Sequence, residues 1–253
     1  MKIKIINPNT SLEMTAAIGA AGRGAARQGT EIVAVSPTFG PASIESYYDE
    51  FLCAPGVIDE VRKGDAEGCD AYIIACYGDP GLNAAREATD RPVIGIGEAS
   101  LYTASMLAAR FSIVTVIPRI KTMLEEMVAG YGFSHKVVSV RTTPLYVLDI
   151  EKDPAGALET LRQEARKAVA EDDAEAILLG CAGFAEFADA LEAELGIPVL
   201  DGVVCAVKLA EAVVELGKRT SKHKTYRFPE AKAFTGMFAR FGGAERGRAA
   251  AAE

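Results

Sequence analysis

The feature that most constrains this chain is an internal repeat. Ala71-Tyr72-Ile73-Ile74-Ala75-Cys76-Tyr77-Gly78 lies over Ala176-Ile177-Leu178-Leu179-Gly180-Cys181-Ala182-Gly183 at an offset of 105 residues (181 − 76), which superimposes the two cysteines. Arg91-Pro92-Val93-Ile94 matches Ile197-Pro198-Val199-Leu200 at 106, and Ile32-Val33-Ala34-Val35 resembles Val137-Val138-Ser139-Val140 at 105. Ile5-Ile6-Asn7-Pro8 parallels Val116-Ile117-Pro118 at 110. Four apolar strands repeated in one order predict two lobes of like connectivity related by a pseudo-twofold axis.

The segments between these runs are rich in Ala, Glu and Arg, so strands alternate with helices in the pattern of a parallel sheet covered on its faces. Strands are expected at Ile3–Asn7, Glu31–Val35, Ala71–Ala75, Val93–Ile96, Ser112–Val116, Lys136–Val140, Ala176–Gly180 and Val199–Leu200. Helices are expected at Ser11–Arg27, Gly56–Glu67, Ala99–Arg110, Lys121–Tyr131, Gly156–Glu171, Phe184–Leu195 and Val203–Leu216. The fold class is α/β, with two pseudosymmetric lobes, each a parallel sheet flanked by helices. The first lobe takes residues 1–98, with 203–240 returning to it; the second takes 99–202, and 241–253 is expected to be a disordered tail.

With a net charge of −8 and a pI near 5.0, the chain would repel a phosphate backbone, and its one basic stretch is the short run from Lys218 to Lys224. Nucleic acid is therefore not an expected partner. No apolar run approaches a membrane span, and the first strand reaches Asn7-Pro8-Asn9 too early for a signal peptide, so the expected location is cytoplasmic. Five cysteines, Cys53, Cys69, Cys76, Cys181 and Cys205, are an odd, scattered set with no C-x-x-C pair, hence free thiols rather than disulfides or a zinc cluster.

A free cysteine is most often a small buried hydrophobe. Cys76 and Cys181 differ in occupying equivalent ends of repeated strands, each followed by a glycine and a helical stretch. Ligands in open parallel sheets bind beyond the carboxyl ends of the strands. Two facing sheets would thus enclose a cleft with one thiol on each side. Nearby helix N-termini are expected to lower the thiol pKa and to supply N–H donors. Opposed thiols suit the inversion of a carbon acid: one removes a proton from one face, the other returns a proton to the opposite face, and backbone N–H groups stabilise the enolate oxygen. The two would titrate as a coupled pair.

Other machinery is absent from the sequence. His135 and His223 have no metal-binding spacing, Gly95-Ile96-Gly97 lacks the third glycine of a dinucleotide fingerprint, and neither a P-loop nor G-x-S-x-G is present. No cofactor and no metal are expected. Asn7-Pro8-Asn9-Thr10-Ser11 closes a strand and opens a helix, with Thr10 and Glu13 expected as a capping box, which leaves Asn9 free to face the cleft. Ser43, Asp79 and Thr115 are further candidates for substrate contact, against ordinary turn or core roles.

At these residues the chain resembles the aspartate/glutamate racemase superfamily and, within it, the hydantoin racemases. The similarity runs from residue 1 to about residue 240 through Asn7-Pro8-Asn9-Thr10, Ala75-Cys76-Tyr77-Gly78-Asp79-Pro80-Gly81, Phe111-Ser112-Ile113-Val114-Thr115 and Gly180-Cys181-Ala182-Gly183. The resemblance implies a homo-oligomer that racemises a small cyclic amide with Cys76 and Cys181, free of metal and pyridoxal. Asn9, Ser43, Gly78, Asp79, Thr115, Ala182 and Gly183 are the candidate substrate contacts around them. Racemases of free amino acids in the superfamily typically carry Asn-Thr after the first cysteine and Thr-His after the second. Tyr77-Gly78 and Ala182-Gly183 stand here instead, which suits a neutral ring. Allantoin racemases share the Gly-Asp-Pro-Gly and Gly-Cys pattern and are the nearest alternative. A decarboxylase or cis-trans isomerase of the same superfamily, a two-lobed binding protein, and a thiol redox protein are the other readings.

Overall fold

The computed structural model describes residues 1–242. The expected tail is outside this range from residue 243 onward. Among the described residues, eight strands form two four-stranded parallel sheets of matching order. In the first, β1 (Lys2–Ile6), β2 (Glu31–Val35), β3 (Ala71–Ile74) and β4 (Val93–Gly95) run in the order β2-β1-β3-β4. In the second, β5 (Phe111–Thr115), β6 (Val137–Thr142), β7 (Ile177–Leu179) and β8 (Val199–Asp201) run in the order β6-β5-β7-β8. Each repeated sequence segment therefore occupies the same place in its sheet. The central strands are buried along their length, Ile73-Ile74 and Ile177-Leu178-Leu179 being fully covered, as expected for strands with helices on both faces.

The connecting helices are α1 (Leu12–Ala25), α2 (Tyr47–Ala66), α3 (Leu82–Ala88), α4 (Ile96–Leu107), α5 (Lys121–Gly130), α6 (Asp149–Lys152), α7 (Pro154–Asp172), α8 (Ala188–Leu195) and α9 (Gly202–Glu215). Helix α9 packs on α1, α4, β3 and β4, carrying the chain back to the first sheet. No helix among the described residues is long and apolar enough to cross a membrane.

Helix α2 is longer than the expected Gly56–Glu67 because Pro55 lies inside it. A proline normally marks a boundary. Here a start signal upstream overrides it: the Ser46 hydroxyl accepts from the Asp49 N–H at 3.2 Å, while the Asp49 carboxylate accepts from the Ser46 hydroxyl at 2.7 Å and the Glu45 N–H at 3.1 Å. That reciprocal cap adds more than two turns before the proline. Helix α1 is also capped differently from expectation. Ser11, not Thr10, accepts from the Met14 N–H at 3.1 Å, and the Thr10 hydroxyl donates instead to the Pro41 carbonyl at 3.3 Å.

Lys4 points from β1 into the first lobe, 1% exposed, with Glu60 Oε2 at 3.2 Å and Glu67 Oε2 at 3.1 Å. The ammonium is thus neutralised where it is buried.

Candidate active site

In each sheet the chain leaves the first strand toward one edge and returns on the other side, so a crevice opens between the carboxyl ends of β1 and β3, and of β5 and β7. The two crevices join in one cleft of about 570 Å³, its open mouth included. Asn7 and Asn9 enter it after β1, Ala75 to Gly78 after β3, Val116 after β5, and Gly180 to Ala182 after β7. Both Cys76 and Cys181 line it, the former half-buried and the latter 8% exposed.

The walls differ in chemistry. The polar side chains, Asn7, Asn9 and Glu50, come from the first lobe. Apart from Cys181, the second lobe contributes apolar surface: Val116, Ile120, Met123, Leu124 and Val147. The mouth is bridged between lobes where Glu45 Oε1 accepts from the Val147 N–H at 2.7 Å and the Tyr47 hydroxyl donates to Glu126 Oε2 at 2.6 Å.

The backbone N–H groups of Gly78 and Gly183, each two residues on, act to lower the pKa of Cys76 and of Cys181. These donors favour thiolate, but burial outweighs them. Cys181 is pushed up to about 12 by burial, and Cys76 is raised well above the usual thiol range, first by burial and next by its neighbour Cys53. The expectation of lowered thiols is corrected here, because neither sulfur meets the N-terminus of an α-helix. Cys76 sits in a tight turn closed by the Asp79 N–H donating to the Cys76 carbonyl at 2.9 Å, and Cys181 precedes a 3-10 turn, Ala182–Phe187.

Of the remaining expected contacts, Asn9, Gly78 and Ala182 line the cleft, and Gly183 stands behind Cys181. The Asn9 carbonyl oxygen accepts from Asn7 Nδ2 at 2.8 Å and from the Ser11 N–H at 2.9 Å. Three others are occupied elsewhere and do not line the cleft. The Ser43 hydroxyl donates to Glu45 Oε2 at 3.1 Å. The Thr115 hydroxyl, fully buried, donates to the Gly180 carbonyl at 2.7 Å, fixing the residue before Cys181. The Asp79 carboxylate accepts from the Gly97 N–H at 3.0 Å, the Glu98 N–H at 2.7 Å and the Tyr131 hydroxyl at 2.8 Å. Asp79 is a structural cap on α4, and Gly95 and Gly97 make room for it. A Cβ on Gly95 would fall 2.1 Å from Asp79 Cγ, and one on Gly97 would fall 2.2 Å from the Tyr77 carbonyl oxygen. The Gly-x-Gly pair thus has a packing reason unrelated to nucleotides.

Glu50, the one charged side chain that lines the cleft among the described residues, is not marked by any sequence motif. It sits in the part of α2 upstream of Pro55, where the proline disguised a helix as a loop. His135 and His223 are exposed. Among the described residues, no group of three or more His, Cys, Asp or Glu could hold a metal ion.

Two matching α/β sheets that face each other across a cleft, with a thiol at the end of the third strand of each, define a two-lobed protein of the aspartate/glutamate racemase fold. Residues 3–210 match the family model described as Asp/Glu/Hydantoin racemase, and the chain belongs to that family and is an isomerase. It is 65% identical over 242 residues to a hydantoin racemase of Pseudomonas sp. (strain NS671), covering 96% of this chain and 97% of that protein. It is 45% identical over 235 residues to a hydantoin racemase of Paenarthrobacter aurescens, covering 92% and 100%. Among solved structures, an allantoin racemase from Klebsiella pneumoniae superimposes with a TM-score of 0.94 at 47% identity, covering 96% of this chain and 99% of that one.

Proposed function

We propose that this protein racemises 5-monosubstituted hydantoins by two-base proton transfer at C5, with Cys76 and Cys181 as the two bases. The observation that carries this reading is the pair of thiols lining one cleft from equivalent strand ends. One sulfur, as thiolate, removes the C5 proton. The electron pair of the C–H bond moves into the C4 carbonyl, and backbone N–H groups of the two turns stabilise the enolate oxygen. The other sulfur, as thiol, delivers its proton to the opposite face and is left as thiolate. Protonation of the pair is thereby exchanged, and the next substrate of the other hand restores it. No electron leaves the substrate, so the reaction needs no redox group. Asn9, Gly78 and Ala182 surround the ring, and Gly183 backs Cys181.

The 65% relative favours hydantoin over allantoin, whereas the 47% structural neighbour supports allantoin as the second reading. Five free cysteines fit a reducing, cytoplasmic setting. Exposed Tyr48, Phe51 and Leu52 on the first turns of α2 fit a homo-oligomer.

The test is the optical rotation of an enantiopure 5-alkylhydantoin with dialysed enzyme and chelator, run beside enantiopure allantoin. The hydantoin signal is expected to decay to zero, and decay for allantoin alone would move the substrate assignment. Cys76→Ser and Cys181→Ser are each expected to abolish racemisation in a folded protein. Each retains at most exchange of solvent deuterium into one enantiomer. Full activity in either variant would refute the pairing.

A further inference from the structure

Glu50 is half-buried in the first turn of α2 and lines the wall that carries Cys76. Its Oε1 lies 3.4 Å from where a Cβ on Gly78 would stand, so the carboxyl closes against the turn that carries Cys76. The helix turn below is fixed by the Cys53 thiol donating to the Glu50 carbonyl at 3.2 Å. The carboxyl oxygens accept no hydrogen bond from any described residue, although the neighbouring Asp49 accepts two. Much of the surrounding lining is apolar: Ile44, Val116, Met123, Leu124 and Val147. Burial, and then the nearby Glu126, raise the Glu50 pKa, the signature of a carboxyl short of compensating donors. A ligand that fills the cleft and further desolvates this acceptor must bring it a donor.

We propose that Glu50 is the specificity-determining group of the cleft: its carboxylate accepts a ring N–H of the hydantoin and repels any ligand that carries a carboxylate of its own. The inference rests on the hydantoin racemase reading and deepens it. A hydantoin ring offers two amide N–H donors and no negative charge at neutral pH. The ring-opened N-carbamoyl amino acid has the same atoms plus water and is an anion. Glu50 therefore admits the closed ring and turns away the open form. It also disfavours free α-amino acids, the substrates of other racemases of this fold.

The experiment compares wild type, Glu50→Gln and Glu50→Leu on four probes: a 5-alkylhydantoin, its N1-methyl and N3-methyl derivatives, and the N-carbamoyl amino acid as inhibitor. Losing a charged acceptor is expected to raise KM about 10- to 100-fold in Glu50→Leu, with a smaller change in kcat. Methylating the nitrogen that Glu50 engages is expected to raise KM by a similar factor in wild type and to add nothing in Glu50→Leu. The N-carbamoyl amino acid, inert toward wild type, becomes a competitive inhibitor of the near-isosteric Glu50→Gln. Wild-type racemisation with KM and inhibition unchanged in both variants would overturn the role of Glu50 and leave the racemase reading standing. A wild type silent on every hydantoin would overturn both.

Discussion

Asp79→Asn probes how the Cys76 turn is anchored. Asp79 is 6% exposed with a left-handed backbone (φ 50°), and its carboxyl is pushed up to about 7 by burial, against the lowering from the Glu98 and Gly97 N–H groups and the Tyr131 hydroxyl. In the unfolded chain an aspartate titrates near 3.9, so folding moves the midpoint by about three pH units, and at 1.36 kcal/mol each this is about 4 kcal/mol. Because the folded pKa is the higher one, the folded state holds the proton more tightly. That stabilisation is fully present below about pH 4 and is lost as pH rises to about 7. Asparagine cannot titrate, so its lost or altered hydrogen bonds add an offset independent of pH. The assay is urea unfolding of wild type and Asp79→Asn across this range. The wild-type advantage should fall by up to about 4 kcal/mol from pH 4 to 7 and then level off. A flat difference would refute the dominance of burial. A difference that grows with pH would mean that the three donors outweigh burial and that Asp79 is held as a carboxylate.

Three further outcomes follow from the structure. Because both thiols are raised by burial, the thiolate fraction of the free enzyme is small at neutral pH. The value of kcat/KM should therefore climb about tenfold per pH unit on the alkaline side, and a flat profile there would contradict the sulfur bases. Thr115→Val removes the buried hydrogen bond to the Gly180 carbonyl and should cost about 1–3 kcal/mol in urea unfolding; an unchanged midpoint would show that carbonyl to be satisfied otherwise. Lys4→Met leaves Glu60, which is 4% exposed, with Lys63 as its cationic partner at 2.5 Å and should cost about 1–3 kcal/mol, part of it restored by adding Glu60→Leu; no recovery in the double variant would place the cost in packing rather than charge.

The strands were legible because their apolar runs are short, bounded and repeated; all eight lie within two residues of expectation at either end. Cys76 and Cys181 were legible through the same repeat. What escaped depends on side-chain bonding that spacing does not encode. Ser46 and Asp49 start α2 ahead of a proline, and that hid Glu50. Asp79 and Thr115 stand at strand ends where substrate contacts are common, yet each found backbone partners near at hand. The thiol pKa direction was misread because a glycine beside a cysteine signals an N–H donor but says nothing of how much water remains around the sulfur.

The unequal walls of the cleft carry a kinetic consequence. Asn7, Asn9 and Glu50 line one side of the cleft and Val116, Met123 and Leu124 the other, so mirror-image substrates would meet different surroundings although the thiols are placed alike. A racemic mixture is the equilibrium state whatever the protein does, which forces kcat/KM to be the same for the two hands. Asymmetry of the walls can therefore surface only as compensating differences: the enantiomer bound more tightly must turn over more slowly by the same factor. A mutation in either wall would move both constants for both hands without ever enriching one of them.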